Sequence, residues 1–225
     1  MTQHDANQRF VQEATSEPEH IVRARAHALE LGAAPISPAI GAQCAVIAAA
    51  SGAASMIEVG TGAGVSGLWL LHGAPRAILT TIDSEPEHLG VARQSFAEAK
   101  IPSARVRFIA GRAAEVLPRM NEGSYDIVLV DADPEGVIEY VEHGLRLVRP
   151  GGTVLVPRVL AGGAVADPVK RDAVTAAYRS LIQETKDSPA VIGALSISGE
   201  GLLQLTTVRE TDPAHASAAG LSTGR

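Results

Sequence analysis

"MIEVGTGAGVSGLWLL", residues 56–71, passes from a short apolar stretch through four glycines set among small residues into an apolar stretch of helical type. Glycine at that density costs backbone entropy on folding, so something must need the bare main chain. Gly60-Thr61-Gly62-Ala63-Gly64 falls between a predicted strand, Ser55–Val59, and a predicted helix near 65–72. At such a junction backbone N–H groups point out of the carboxyl edge of a sheet. Gly62 to Gly67 also satisfies G-x-G-x-x-G, the dinucleotide fingerprint. At this point the turn reads as a seat for a phosphate, a dinucleotide or another ligand, with a tight turn and no ligand as the lesser alternative.

C-terminal to that turn, strand and helix patterns alternate. Further strands are predicted at Ile78–Asp83, Arg105–Ala110, Tyr125–Asp131 and Thr153–Val156, with helices near 86–99, 113–120 and 134–147. "YDIVLVD" and "TVLV" are nearly continuous apolar runs, as expected of parallel strands covered by helices on both faces. A helix near 167–186 precedes "VIGALSI", the short turn "SGEG" and "LLQLTTV". Two strands joined so briefly must pair antiparallel, because a parallel crossover needs a dozen or more residues. The expected fold is therefore α/β and doubly wound, with a mostly parallel seven-stranded sheet and one antiparallel strand near its C-terminal end.

N-terminal to the turn the pattern is helical. "SEPE" at Ser16–Glu19 reads as a capping box, followed by Val22, Ala26 and Leu29 at helical spacing. Ser37-Pro38 opens a second helix with Ile40, Cys44 and Ile47 on one face and Gly52 near its end. Residues 1–52 are taken as helices of the same domain, 53–210 as the ligand-binding core and 211–225 as a flexible tail. With 225 residues, 46% apolar and 20% charged, the composition is that of one globular domain. A net charge of −6 argues against a nucleic-acid partner. A polar N-terminus and the absence of a long apolar run point to a cytoplasmic protein with no membrane partner. Cys44, the single cysteine, permits no disulfide within the chain and sits in the apolar run "QCAVIAAA", as a buried structural thiol would.

Two carboxylates flank the glycines. Glu58, just before Gly60, would repel a pyrophosphate but attract an ammonium group or order water around one. Asp83 ends the next strand, where a carboxylate accepts hydrogen bonds from ribose hydroxyls. With these acids in place, "EVGTGAGVSGLWL", "LTTIDSEPEHLGVAR", "GRAAEVL", "YDIVLVDAD" and "LRLVRPGGTVLV" stand in an order and spacing that resemble the class I S-adenosylmethionine-dependent methyltransferases. More narrowly, the chain resembles the O-methyltransferases of the caffeoyl-CoA and catechol type, from about residue 20 to 209. The resemblance implies S-adenosyl-L-methionine as cofactor and a small-molecule methyl acceptor. Glu58, Gly60 and Thr61 would line the methionine and ribose side, and Ser66 would bond the methionine carboxylate or amine, unless it merely caps its helix. Asp83 would hold the ribose. Ala113 would lie by the adenine or simply pack, and Ile36 would present backbone to the cofactor. Asp131, ending the fourth strand, would face the reacting groups. A homodimer is implied as well.

The chain departs from that family at two places. The family's metal site joins the aspartate ending the fourth strand to an Asp-Asn pair after the fifth, and here Pro157-Arg158 stands where the pair is expected. Proline brings no side-chain ligand and arginine is a fixed cation, so a divalent metal is not expected. The lysine usually placed shortly after the fourth strand is replaced by Pro134 in "DADPEG". Arg158 is either a surface or interface arginine or a partial stand-in for the missing cation, pairing with Asp131 or stabilising an acceptor oxyanion. On this reading Asp131 and Arg158 are the catalytic candidates. His72 is placed at the end of the helix after the glycine turn, where a positive side chain suits the helix dipole, and His88 and His143 within helices away from the strand ends. Two other functions remain: an NAD-dependent oxidoreductase, which would explain the glycines and Asp83 but not Glu58, and a non-catalytic cofactor-binding protein. No Tyr-x-x-x-Lys signature supports the oxidoreductase.

Overall fold

The computed structural model describes residues 3–197 and 200–208. The tail expected at 211–225 lies outside the described residues. Seven strands form one sheet in the order β3-β2-β1-β4-β5-β7-β6. They are β1 Ser55–Val59, β2 Ile78–Asp83, β3 Val106–Ala110, β4 Tyr125–Val130, β5 Val148–Pro157, β6 Val191–Ser196 and β7 Leu202–Thr207. The first five pair in parallel, and β7 runs antiparallel between β5 and β6. The hairpin's short turn fixes the relative direction of β6 and β7 but not which of them sits inside. Here β7 takes the interior position, although β6 carries the more apolar sequence, and β6 becomes the edge with residues 192–195 exposed.

Helices α2 Glu19–Glu30, α3 Pro38–Ala50, α4 Val65–Gly73 and α5 Pro86–Glu98 cover one face, and α6 Ala113–Val116, α7 Val137–Leu147 and α8 Ala173–Lys186 the other; α1 Gln3–Ala14 precedes them. Strand alternation distributes the core between these layers. Met56 packs with the first group of helices and Ile57 with the second. Glu58, two residues beyond Met56, therefore points into the α4 layer, and that placement decides its chemistry.

Several local expectations are corrected. Ser16 does not cap α2: Pro18 holds the N-cap position, and its carbonyl accepts from the backbone N–H groups of Ile21 and Val22. The buried row of α2 is Ile21, Ala24 and Ala28, whereas Val22 and Leu29 are 47% and 66% exposed. Both triplets have helical spacing, so periodicity alone does not choose between them. The small residues Ala24 and Ala28 bring the helix close to its neighbours. The last helix starts at Ala173 rather than 167, where the Asp172 carboxylate accepts from Thr175 N at 2.9 Å. Ser37 caps α3 as expected, and Cys44 is fully buried, where burial pushes its thiol up to about 12.

Candidate functional site

The strand order reverses beside β1, since β2 and β4 lie on its two sides, and the crevice beyond the carboxyl ends of such strands is where ligands bind in this architecture. A cavity of about 600 Å³ opens there. Its walls include Gly60, Thr61, Gly62 and Ser66 from the first turn, Asp83 and His88 from β2 and α5, and Gly111 to Ala113 after β3. Asp131, Asp133, Arg158 and Tyr140 close the side beyond β4, and residues 33–36 of the α2–α3 loop complete the rim.

The glycines of the turn serve different ends. A side chain at Gly60, where φ is +91°, would collide with the main-chain carbonyl of Asp131, so this glycine lets β1 and β4 close on each other. Side chains at Gly64 and Gly67 would strike the Phe96 ring. Gly62, with φ +49°, faces open space on the cavity. Gly60 and Gly62 both border the cavity, but only at Gly62 would a side chain meet open space; the other three glycines let protein pack against protein.

Asp83 is held by the same turn. One carboxylate oxygen accepts from Gly62 N and the other from Glu85 N, both at 2.9 Å. His88 Nδ1 approaches this carboxylate at 3.3 Å. The expectation that His88 lies away from the strand ends is thus corrected: α5 begins at Pro86, so the third residue of the helix turns back over the end of β2. The signal was the five-residue offset from Asp83 across a proline helix start. Thr81, Asp133 and Tyr140 were also missed or underrated. Tyr140 donates to Asp133 at 3.0 Å, and burial together with that carboxylate pushes its hydroxyl up to about 12.

Glu58 does not line the cavity. It is completely buried beneath the turn, accepting from the Ser66 hydroxyl at 2.5 Å and from the Thr81 hydroxyl at 2.6 Å. Thr81 is its register partner on β2, and Thr61 joins Thr81 at 2.6 Å. Burial pushes the Glu58 carboxyl up to about 7 against the pull of those two hydroxyls. Thr61 and Ser66 do reach the cavity wall, as does Ala113 at the start of α6. Ile36 lines it too, but its carbonyl is occupied, accepting from Arg25 Nη1 at 2.8 Å.

Beyond β4 the chemistry changes. Arg158 Nε donates to Asp131 Oδ1 at 2.8 Å, its Nη2 bonds the same oxygen, and Nη1 donates to the Ala34 carbonyl at 2.9 Å. Arg158 therefore ties the end of β4 to the α2–α3 loop, and the reading of it as a surface arginine is set aside. Its backbone lies in the left-handed region at φ +61°, an unfavourable place for a side-chain-bearing residue, held by the turn that follows β5. Burial raises the Asp131 carboxyl, while Arg158 pulls it down. Burial alone would lower the guanidinium, but the Asp131 carboxylate outweighs it and Arg158 stays charged, held above its usual value. A divalent cation does not fit this arrangement. Asp131 already carries a fixed cation on one oxygen, Pro157 offers no ligand, and the next acid, Asp167, turns back on Val169 N at 2.9 Å. Among the described residues no group of three His, Cys, Asp or Glu side chains has the arrangement of a metal site.

Residues 13–205 match the sequence profile of a family described as O-methyltransferases. The chain belongs to the O-methyltransferase family. It shares 46% identity over 189 residues with a protein of Mycobacterium avium (strain 104) named as an O-methyltransferase, covering 84% of this chain and 85% of that one. A Mycobacterium tuberculosis H37Rv protein with the same designation is 47% identical over 189 residues, 84% of each chain. Among solved structures, a Corynebacterium glutamicum protein superposes with a TM-score of 0.85 at 28% identity, covering 93% of this chain and 99% of its own. The O-methyltransferase of tomaymycin synthesis from Streptomyces achromogenes, solved with S-adenosylmethionine, superposes at 0.79 with 26% identity, covering 92% and 100%. Membership in the O-methyltransferases decides for methyl transfer over a nicotinamide-dependent oxidation. No helix among the described residues is long and apolar enough to cross a membrane.

Proposed function

We propose that this O-methyltransferase uses S-adenosylmethionine to methylate a hydroxyl of a small phenolic or otherwise anionic acceptor, and does so without a divalent metal ion. The Streptomyces enzyme solved with that cofactor supports the choice of donor. So does the cavity: a carboxylate pinned at the end of β2 suits ribose hydroxyls, and Ala113 leaves room for a flat base at the β3 end. Gly62 allows close approach of main chain. The sulfonium of the cofactor supplies an already activated methyl group, so the protein's task is alignment and exclusion of water.

The observation that carries the metal-free reading is the Arg158 guanidinium seated on Asp131. A guanidinium has five N–H donors, and three are engaged, two on Asp131 and one on Ala34. Arg158 lines the cavity, and its two remaining donors are available to stabilise an acceptor oxyanion by charge-assisted hydrogen bonding, the service a divalent ion renders elsewhere. Asp131 keeps the guanidinium in place, and the Ala34 contact draws the α2–α3 loop over the reacting groups. Homodimerisation is part of the same proposal; it would cover Ile192 and Leu195 on the bare edge strand β6.

The test is methyl transfer from S-adenosylmethionine to a panel of phenolic and carboxylate-bearing acceptors, run with and without EDTA. Turnover of at least one acceptor at an unchanged rate in EDTA is expected. Activity that disappears with EDTA and returns with magnesium overturns the metal-free reading, and binding of cofactor without turnover of any acceptor favours a non-catalytic protein.

A further inference from the structure

A hydroxyl that is methylated loses its proton, and Arg158, a fixed cation, cannot take it. Four carboxylates border the cavity: Asp83, Glu85, Asp131 and Asp133. Asp83 has both oxygens on main-chain N–H groups, and Asp133 accepts from Tyr140 on Oδ1 and from Gly136 N on Oδ2 at 3.2 Å. Glu85 is the N-cap residue of α5, at the Asp83 end. Asp131 is different. Both Arg158 donors that reach it, Nε at 2.8 Å and Nη2, fall on Oδ1. Among the described residues no hydrogen bond reaches Oδ2, yet that oxygen is not sealed in protein, because Trp69 Nε1 is the one sealed side-chain polar atom without a partner there. Since Asp131 lines the cavity, Oδ2 opens on it. We propose that Asp131 is a catalytic residue whose free Oδ2 takes the acceptor's hydroxyl proton, while Arg158, seated on Oδ1, receives the negative charge left on the acceptor oxygen. The inference rests on methylation of a hydroxyl at this end of the cavity.

Oδ2 bonds the proton as the acceptor oxygen turns its released pair onto the incoming methyl carbon, and the pair of the breaking C–S bond stays on sulfur. The negative charge of Asp131 and the positive charge of the sulfonium disappear together, so this buried end of the cavity gains no charge. The charged and titratable groups facing Asp131 are Arg158 after β5, Glu200 in the β6–β7 turn, Glu58 of β1, Tyr178 of α8 and Cys44 of α3, with Asp133 two residues along the chain. Arg158 favours the carboxylate, and Glu200 and Glu58 oppose it. Burial outweighs Arg158 and holds the carboxyl above its usual value, which makes it a better proton acceptor than an exposed aspartate.

Two phenols test this, one with a pKa of about 10, as in tyrosine, and a nitro-substituted one that is already ionised at about pH 8. Asp131→Asn keeps the shape and removes the base. It should lower turnover of the first phenol about 100-fold or more, and of the second less than about fivefold. Equal losses would assign Asp131 to holding Arg158 alone and overturn the proposal. On the wild-type protein, turnover of the first phenol should be lost only in acid, as Asp131 takes up its proton. A rate that climbs about tenfold per pH unit toward the phenol's own pKa is expected of the variant, and in the wild type it overturns the proposal even if the variant does not fold. Absorbance supplies a readout without turnover. In the complex with S-adenosylhomocysteine, bound nitrophenol should ionise about one pH unit or more higher on the wild-type protein than on Asp131→Asn, because a carboxylate at Oδ2 opposes the phenolate. A shift in the other direction, as follows if the substitution merely unseats Arg158, overturns the proposal. If the wild-type protein methylates no hydroxyl of the acceptor panel, the functional reading falls and takes this inference with it.

Discussion

At the β1–β2 end of the cavity the ligand-facing wall is largely main chain, with Gly62 open to the space and Asp83 clamped by two backbone N–H groups. At the β4–β5 end the wall is side chain, with Arg158 stretched between Asp131 and the Ala34 carbonyl. Backbone-built sites are rigid and tolerate few residue types, so their pattern is easily seen in a sequence. Sites built from long side chains vary with the substrate, and their geometry depends on where distant segments meet. The contrast matches a division of labour in which one end holds an invariant cofactor and the other a particular acceptor.

The strongest way to break that division is at Asp83. Asp83→Ala removes the proposed ribose acceptor together with the partner of Gly62 N and Glu85 N, and should weaken S-adenosylhomocysteine by about 100-fold or more, two charge-assisted bonds' worth. Unchanged affinity by calorimetry would mean that the ribose lies elsewhere. Next comes Arg158→Ala, which should lower turnover roughly 30-fold while S-adenosylhomocysteine affinity stays within about threefold. A parallel fall in both would show that the two ends act as one unit.

The smallest expected effect concerns stability rather than binding. The folded value of Glu58, about 7, lies above its ordinary 4.5, so between those values the folded protein holds a proton that the unfolded chain has lost. Stability therefore falls as pH rises through that window, and above it the full penalty of the buried charge remains. Glu58→Gln should raise stability by roughly 1–2 kcal/mol at about pH 8, with the gain vanishing near pH 5, as followed by denaturant unfolding. That value sits below the linkage limit of about 3 kcal/mol because the amide cannot match both hydroxyl donors. A more stable protein that binds cofactor less well would sharpen the comparison, since the residue would then be costing stability at the end of the cavity where the ligand is held.

Much of this was legible before folding. The glycine turn, the acids Glu58 and Asp83, the apolar parallel strands and the reversed C-terminal strand all rest on local periodicity or on loops too short for a crossover. The departure at Pro157-Arg158 was visible in the same way. The buried face of α2 was not, because Ile21-Ala24-Ala28 and Val22-Ala26-Leu29 are equally periodic and the choice is made by the helices packed against them. His88 was misplaced for a related reason: a residue on a helix is assigned to that helix until the angle of the chain leaving β2 is known.

The sequence by itself determined the order of elements, the glycine turn at the first crossover and the carboxylates at the strand ends, because each is fixed by neighbours in the chain or by the period of the backbone. Only the tertiary structure decided what those groups face. Burial beneath α4 took Glu58 out of the cavity wall, and the meeting of β4, β5 and the α2–α3 loop seated Arg158 on Asp131 at the edge of the cavity. Both depend on contacts between segments far apart in the chain, for which no local pattern carries a signal.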